Sequence, residues 1–382
     1  MALLMVITSI LLLTILVAEI SRGAAMRLQL AQHHRDEVKA EMLATSGVQM
    51  YRLILMASKT LGKNPMIMQF GQMMGVNADS LWQMVPVINT GMMRMLFVTK
   101  GDMDDLEGGQ LTEEQLAASR EKSSAFKRNF LDFDGDFQAR VEDENQYIFV
   151  GKITANDMDA LDNLPVTRQL LGLMQSEDDQ QFLYDNNLQA RELIANLADW
   201  TDVDDLRKWE GGREDGLYER LDSPYRSKNA PFDTIAEIRL VSGWHLDGVW
   251  ERFGRHLTIY GAGRVNVNTA KREIIAALIQ GYTDIQYPDA VIEDWVKLFM
   301  EARSLPQMSG GVFFTSGQQF HQYMTEVLGV PLTEDVANVV TGESTTFRVT
   351  SVGEVGEARV EITAILDYSR DPTGEVLYWS AK

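Results

Sequence analysis

Six acids crowd one stretch of the chain: Asp199, Asp202, Asp204 and Asp205, followed by Glu214 and Asp215. Carboxylates this dense repel one another if a single loop gathers them, and a hard cation relieves the repulsion, since calcium takes about six to eight oxygens from such loops. The same residues also suit a solvated acidic face, which on the residues alone is the simpler reading. A second acidic set, Asp132, Asp134 and Asp136 in LDFDGDF, has the one-three-five spacing that opens an EF-hand loop. Phe137 stands at the sixth position, where that loop needs glycine for its turn, and Asp143 at the twelfth, so it is no EF-hand.

Catalytic sets are poorly supported. His33, His34, His245, His256 and His321 are the five histidines, none of them in an HExxH pattern, and the chain has no cysteine, which excludes disulfides, thiolate metal sites and cysteine nucleophiles. GxSxG, GxxxxGK[ST] and GxGxxG patterns are all missing from the sequence. Lys and Arg number 35 against 55 Asp and Glu, a formal charge of -20 that repels phosphates and attracts cations. The expectation is therefore a protein that is not an enzyme and binds no nucleic acid.

The elements that would hold such residues begin with an anchor. Ala2 to Ala18 reads ALLMVITSILLLTILVA without a charge, close to the ~17 to 25 residues a membrane-crossing helix needs. Thr8, Ser9 and Thr14 can spend their hydroxyls on helix carbonyls. No basic residue precedes the run, unlike a cleavable signal peptide. No proline follows it as far as Leu61, so the spacing predicts one helix from residue 1 to about residue 57. Small or apolar residues recur on one face at Ala24, Leu28, Ala31, Val38, Met42 and Thr45, interrupted by Arg35. An ordinary single-span tether would begin the same way.

Downstream, Met66, Met68, Met73, Met74, Met84, Met92, Met93 and Met95 read as core filling, because no His or Cys is interleaved to make a soft-metal site. Thr112 ahead of Gln115 marks a capped helix, and Phe137 to Ile153 reads as a strand pair turning at Glu144 and Asn145. Helical spacing dominates from Ala155 to about Met300: Asp157 to Leu164, Thr167 to Met174, Gln181 to Leu197, Ile235 to Leu240 and Lys271 to Gln280. Asn268 or Thr269 is placed to cap the helix after NVNTA, and Asp233 or Thr234 ahead of Glu237 makes another capping box. From Phe347 the period switches to two, through Val360, Ile362, Ala364 and Leu366 with a glycine-containing connection at Gly353 to Gly356, and Glu375 to Trp379 adds a third strand.

Several stretches occur in an order that resembles the minor pseudopilins of type II secretion systems, the general secretion pathway protein K family. They are ARVEDENQYIF, LADWTDVDD, GGREDGLYERLDSPYRSKNAPFDTIAEIRLV, GRVNVNTAKREIIAAL, FRVTSVGEV and VEITAIL. The likeness covers roughly residues 1–60 and 128–380, and residues 66–125 match nothing in it. NVNTA also opens helix-hairpin-helix modules that grip phosphates, but the turn here, QGYTDIQYPD, has one glycine and two acids.

The resemblance implies an α+β fold: a long N-terminal transmembrane pilin helix, a small antiparallel pilin-like sheet and a large inserted helical domain. The expected divisions are 1–18 transmembrane segment, 19–65 continuation of the pilin helix, 66–127 helical insertion, 128–154 first strands, 155–340 inserted helical domain and 341–382 closing strands. It implies calcium binding in the helical region, with Asp199, Asp202, Asp204, Asp205, Glu214 and Asp215 as the candidate ligands. It further implies a single-pass protein of the bacterial inner membrane with a periplasmic head, whose partners are other minor pseudopilins of I and J type and the pseudopilus subunits. A short basic leader ending in glycine is missing, so the sequence either starts at the mature end or omits the processing site. The glutamate most pilin-like subunits carry at position five is also missing, as in K-type proteins, and the first acid is Glu19. A head of this size cannot repeat around a shaft without clashing, so the tip is the expected position. The alternatives are a minor pilin of a type IV pilus or competence system, and a membrane-tethered, calcium-dependent periplasmic enzyme.

Overall fold

A computed structural model describes residues 2–61, 82–83, 85–96, 134–305 and 311–382. The Met66 to Met84 run, Asp132 and the Thr112 capping box lie outside the described residues. Helix α1 runs Ala2–Leu61 over 60 residues, roughly 90 Å at the α-helical rise. Thr8 and Ser9 donate to the Met5 carbonyl at 3.0 and 2.8 Å and Thr14 to that of Ile10 at 2.8 Å, which removes their polar cost in an apolar segment. Among the described residues α1 is the one helix long and apolar enough to cross a membrane. Every residue from 3 to 35 is exposed, so α1 stands free of the head for half its length, and that free half has the length and composition of a membrane anchor.

The second half of α1 lies on a sheet. Ala40, Leu43, Ala44, Val48, Tyr51 and Leu55 are buried at three- and four-residue spacing, each large side chain contributing on the order of 1.5–3 kcal/mol of burial. The sheet has five strands: β1 (Val87–Asn89), β2 (Asp136–Asp143), β7 (Thr346–Val355), β8 (Ala358–Asp367) and β9 (Glu375–Ala381). Their order is β1-β2-β7-β8-β9, all antiparallel. Phe137, Ala139, Val141, Phe347, Val349, Val360, Ile362, Ala364 and Leu366 form its buried face against α1. Contact is close at Gly353, where a Cβ would fall 2.0 Å from the Ala40 carbonyl oxygen. Gly353 therefore belongs inside β7 rather than to the turn, which sits at Gly356 with φ +59°.

The stripe that includes Leu28 and Met42 occupies the opposite face of α1 from this sheet. Leu28 is 60% and Met42 65% exposed.

Between β2 and β7 the chain builds a separate helical unit with its own core, including Leu170, Ile194, Trp200, Trp244, Phe253, Ile274, Val296 and Phe299. Two readings are corrected here. Residues 137–153 do not form a strand pair: after β2, Asp143 accepts from the Asn145 amide at 2.9 Å and starts a 3-10 turn. The chain then leaves the sheet, and inside the helical unit β3 (Ile148–Phe149) pairs in parallel with β4 (Leu257–Thr258) and β5 (Val265–Asn266) with β6 (Val340–Thr341). The span Gln181 to Leu197 is two helices, Glu177–Asp185 and Ala190–Thr201, broken where Asn187 takes φ +54°. Ser176 caps the first of them through the Asp179 amide.

NVNTA does not cap a helix. The next helix, Arg272–Gly281, starts later and has no side-chain cap. Asn268 instead donates to the Phe314 and Gly342 carbonyls at 2.8 and 2.9 Å, and Thr269 donates to Asp143 at 2.6 Å. Near Thr234 the proposed box is half formed: the Glu237 carboxylate accepts from the Asp233 amide at 2.9 Å, with no side-chain cap on a 3-10 segment.

Candidate functional site

The helix Ala190–Thr201 carries Asp199 in its last turn and is closed by Asp202. That end of a helix presents unpaired carbonyls and disfavours negative charge, and its last turn holds no basic residue. Glu214 opens a short 3-10 segment, Glu214–Leu217, that folds back beneath the helix end. Carboxylate oxygens of Asp199, Asp202 and Glu214, all three buried, lie within 4.8 Å of one another. An aromatic group packs nearby: Trp200 meets Tyr218 edge-on at 5.4 Å, and Tyr218 stacks on Tyr225 at 5.1 Å.

Lys208 reaches into the cluster. Its side chain is 2% exposed. The ammonium donates to Asp199 Oδ1 at 3.2 Å and makes a short contact with Asp202 Oδ2, while its backbone amide donates to both Asp199 oxygens at 3.2 and 3.3 Å. Glu214 is 1% exposed, and both its oxygens, like Asp202 Oδ1, are buried without a hydrogen-bond partner.

Burial, then the neighbouring Asp199 and Asp202 charges, push the Glu214 carboxyl up to about 8. Burial also lifts Asp199 to about 6, against the pull of Lys208, and Asp202 shifts upward for the same reason. Burial opposes the charge on Lys208, but its bonds to Asp202 and Asp199 outweigh that and raise its value.

One ammonium among three carboxylates leaves negative charge uncompensated, and orphaned oxygens converge on it. That donor set, all hard oxygen, fits a divalent cation of the calcium type.

The other three candidate acids sit elsewhere. Asp204 accepts from the Leu206 amide at 2.8 Å and Asp205 from Asn229 at 3.1 Å, both exposed. Asp215 accepts from the Ser227 amide at 3.2 Å and pairs with Arg213 at 3.4 Å. In the second set, Asp134 is exposed and paired with Lys39 at 3.0 Å, a bond that holds its carboxyl below the usual range, and Asp136 begins β2. His33 and His34 lie exposed on α1.

Lys208 was missed in the sequence reading. Its only signal was a lysine in an otherwise acid-rich loop, nine residues after Asp199. A second missed group is the buried junction at Asp143, whose Oδ2 accepts from Asn266 at 3.0 Å, Ser344 at 2.6 Å and Thr269. Beside it, Glu144 accepts from Thr258 at 2.5 Å and pairs with Arg348. Burial shifts Asp143 upward against these three donors and the Asn145 amide.

Comparison with known proteins bears out the resemblance read from the motifs. Residues 153–262, which include the whole carboxylate cluster, match the family model described as type II secretion system protein K. A type II secretion system protein K from Aeromonas hydrophila is 27% identical over 187 residues, 48% of this chain and 52% of that protein. The protein K of Pseudomonas aeruginosa is 25% identical over 243 residues, 58% of this chain and 66% of that one. The chain thus spans 52% and 66% of the lengths of these curated relatives. A crystal structure of the GspK-GspI-GspJ complex from the type 2 secretion system of enterotoxigenic Escherichia coli aligns with a TM-score of 0.46 at 17% identity, covering 65% of this chain and 80% of that one.

Proposed function

We propose that this chain, similar in sequence to protein K of type II secretion systems, is a minor pseudopilin that starts and caps a pseudopilus for protein export. The observation that carries this reading is the two-sided character of α1. One face is consumed by the sheet through Ala40, Ala44, Val48, Tyr51 and Leu55. The other presents Leu28, Val38 and Met42 to solvent. In water that second face costs free energy unless another helix covers it, and the apolar segment ahead of it is where such a bundle would begin in the bilayer. The partners we propose are other minor pseudopilins of I and J type, packed helix beside helix, with the anchor in the bacterial inner membrane and the head in the periplasm.

The size of the head supports a terminal position, since a large unit inserted between β2 and β7 leaves little room for a copy above it. The role is one of assembly, with no reaction assigned to the chain. We further propose that Asp199, Asp202 and Glu214 hold calcium, which would neutralise a carboxylate cluster that the helix end itself disfavours.

The assembly reading is tested by isolating the tagged full chain from detergent-solubilised membranes. Co-isolation of three smaller pilin-like subunits is the expected result. Isolation alone, together with export that survives deletion of the gene, would sink it.

A further inference from the structure

The loop from Val203 to Arg213 delivers Lys208 to the carboxylates. Its base is tied by Asn229, which donates to the Asp204 carbonyl at 2.8 Å and to Asp205 at 3.1 Å, and by the Glu214 amide on the Asp205 carbonyl at 3.2 Å, while Trp209 packs against the helical core. The loop closes through an isolated bridge between Leu206 and Arg213 and a bond from the Arg207 amide to the Gly212 carbonyl at 2.9 Å. Its tip turns at Glu210, Gly211 and Gly212, all at positive φ, with open space around both glycines. Val203 and Leu206 are exposed.

Within that loop, two parts of Lys208 have different jobs. The backbone amide is fixed on Asp199, whereas the ammonium bonds only carboxylate oxygens, one of Asp199 and one of Asp202. Those oxygens belong to the same three residues whose ligand atoms converge within 4.8 Å. A second, independent observation points to a ligand: Glu214, buried and aimed into the cluster, leaves both oxygens without a partner. Lys208 therefore satisfies Asp199 and half of Asp202 and does not reach Glu214.

Two cations cannot share this space. A divalent ion drawing on Asp199, Asp202 and Glu214 together would sit against the ammonium, and like charges a few ångströms apart in a dry site repel strongly. The exchange needs only the flexible four-carbon stem of Lys208 to swing outward toward the open tip at Gly211 and Gly212, while its amide stays on Asp199.

We propose that Lys208 is an internal cation that holds the place of the divalent ion, so that ion binding and withdrawal of the lysine are one exchange. This rests on the calcium reading of Asp199, Asp202 and Glu214. The ion-free chain is kept folded by Lys208, and the ion must displace it, which lowers apparent affinity by the fraction of molecules with the lysine out.

The test uses the full chain in detergent micelles with calcium chloride as the probe. Calorimetric titration compares the wild type with Lys208→Met, which keeps the stem and removes the charge. In parallel, an amine-acylating reagent is applied to the wild type with chelator or with saturating calcium, and mass spectrometry reads Lys208 against the exposed Lys152. Lys208→Met is expected to bind calcium at least about tenfold more tightly. Lys208 is expected to be protected in chelator and to approach the reactivity of Lys152 in calcium. Binding by the variant alone supports the exchange still more strongly.

Equal affinities, with Lys208 protected in saturating calcium, overturn the exchange while leaving the calcium reading intact. Lys208 already reactive in chelator overturns it as well. Absence of calcium binding in both proteins overturns the calcium reading, and this inference with it. Should Lys208→Met fail to fold, the acylation pattern of the wild type decides alone.

Discussion

Asp143 and Thr269 stand 126 residues apart in the chain and 2.6 Å apart in the fold, hydroxyl donating to carboxylate. Asp143 is the last residue of β2, and Thr269 belongs to the helical unit. Ser344, just ahead of β7, donates to the same oxygen at 2.6 Å. One carboxylate therefore ties the outgoing strand, the returning strand and the inserted unit together. Asp143→Ala would take from Asn266, Ser344 and Thr269 the carboxylate they share, leaving the buried Ser344 hydroxyl without its acceptor, a loss of about 1–3 kcal/mol. Urea unfolding of the full chain in detergent should show a lower midpoint, and an unchanged midpoint would show that the junction is not load-carrying.

Seating of α1 on the sheet makes a sharper test. At Gly353 a Cβ would meet the Ala40 carbonyl at 2.0 Å and the Ala44 amide at 2.7 Å, both backbone. At Gly47 the nearest obstacle, at 2.2 Å, is the Ser351 hydroxyl, which can rotate. Gly353→Ala should cost about 1–3 kcal/mol as an overpacked contact, and more than Gly47→Ala. Thermal melts of the two variants would settle the order.

On the other face of the same helix the expectation reverses. Leu28→Asp and Met42→Asp alter exposed side chains, so the stability of the isolated chain should stay within about 0.5 kcal/mol. Co-isolation with pilin-like subunits should fall. Loss of folding in these variants would mean the stripe serves this chain's own packing.

Acid should find His256. It is buried, its Nδ1 lacks a partner, and Arg255 donates to its Nε2 at 3.2 Å. Burial, with help from the Arg255 and Lys271 charges and against those of Glu273 and Asp179, lowers its value from 6.5 to about 4. The unfolded chain then binds the proton more tightly. The stability His256 contributes is present above about pH 6.5 and is lost as the pH falls toward 4, by at most about 1.4 kcal/mol per pH unit. Unfolding free energies between those limits should flatten in His256→Gln.

Glu214→Gln separates the two states of the cluster. With chelator present it removes a buried carboxyl that has no partner and that burial pushes up to about 8, so stability near neutral pH and above should rise on the order of 1 kcal/mol. With calcium present the variant should show no ion-dependent gain in melting temperature. A wild type whose melting ignores the chelator would remove calcium from the account altogether.

Some of this was legible in one dimension because its cause is local. The absence of charge from Ala2 to Ala18 and of proline through Leu61 makes α1 continuous whatever surrounds it. Period-two patterning around Phe347 and Val360 to Leu366 marks a sheet with one dry face. Acid density between Asp199 and Asp215 marks a stretch of high charge.

Tertiary structure decided what those patterns are for, because it alone sets distances between residues far apart in sequence. It separated the two faces of α1, giving one to the sheet and leaving Leu28 and Met42 bare. It turned Asn268 and Thr269 from expected helix caps into ties, since two loop carbonyls and the carboxylate that ends β2 were better placed than the first-turn amides. From six acids it drew three together and sealed a lysine among them. Burial is the physical reason: a carboxylate in water is one charge among many, and the same group without water must be matched atom by atom, which no spacing along a sequence can specify.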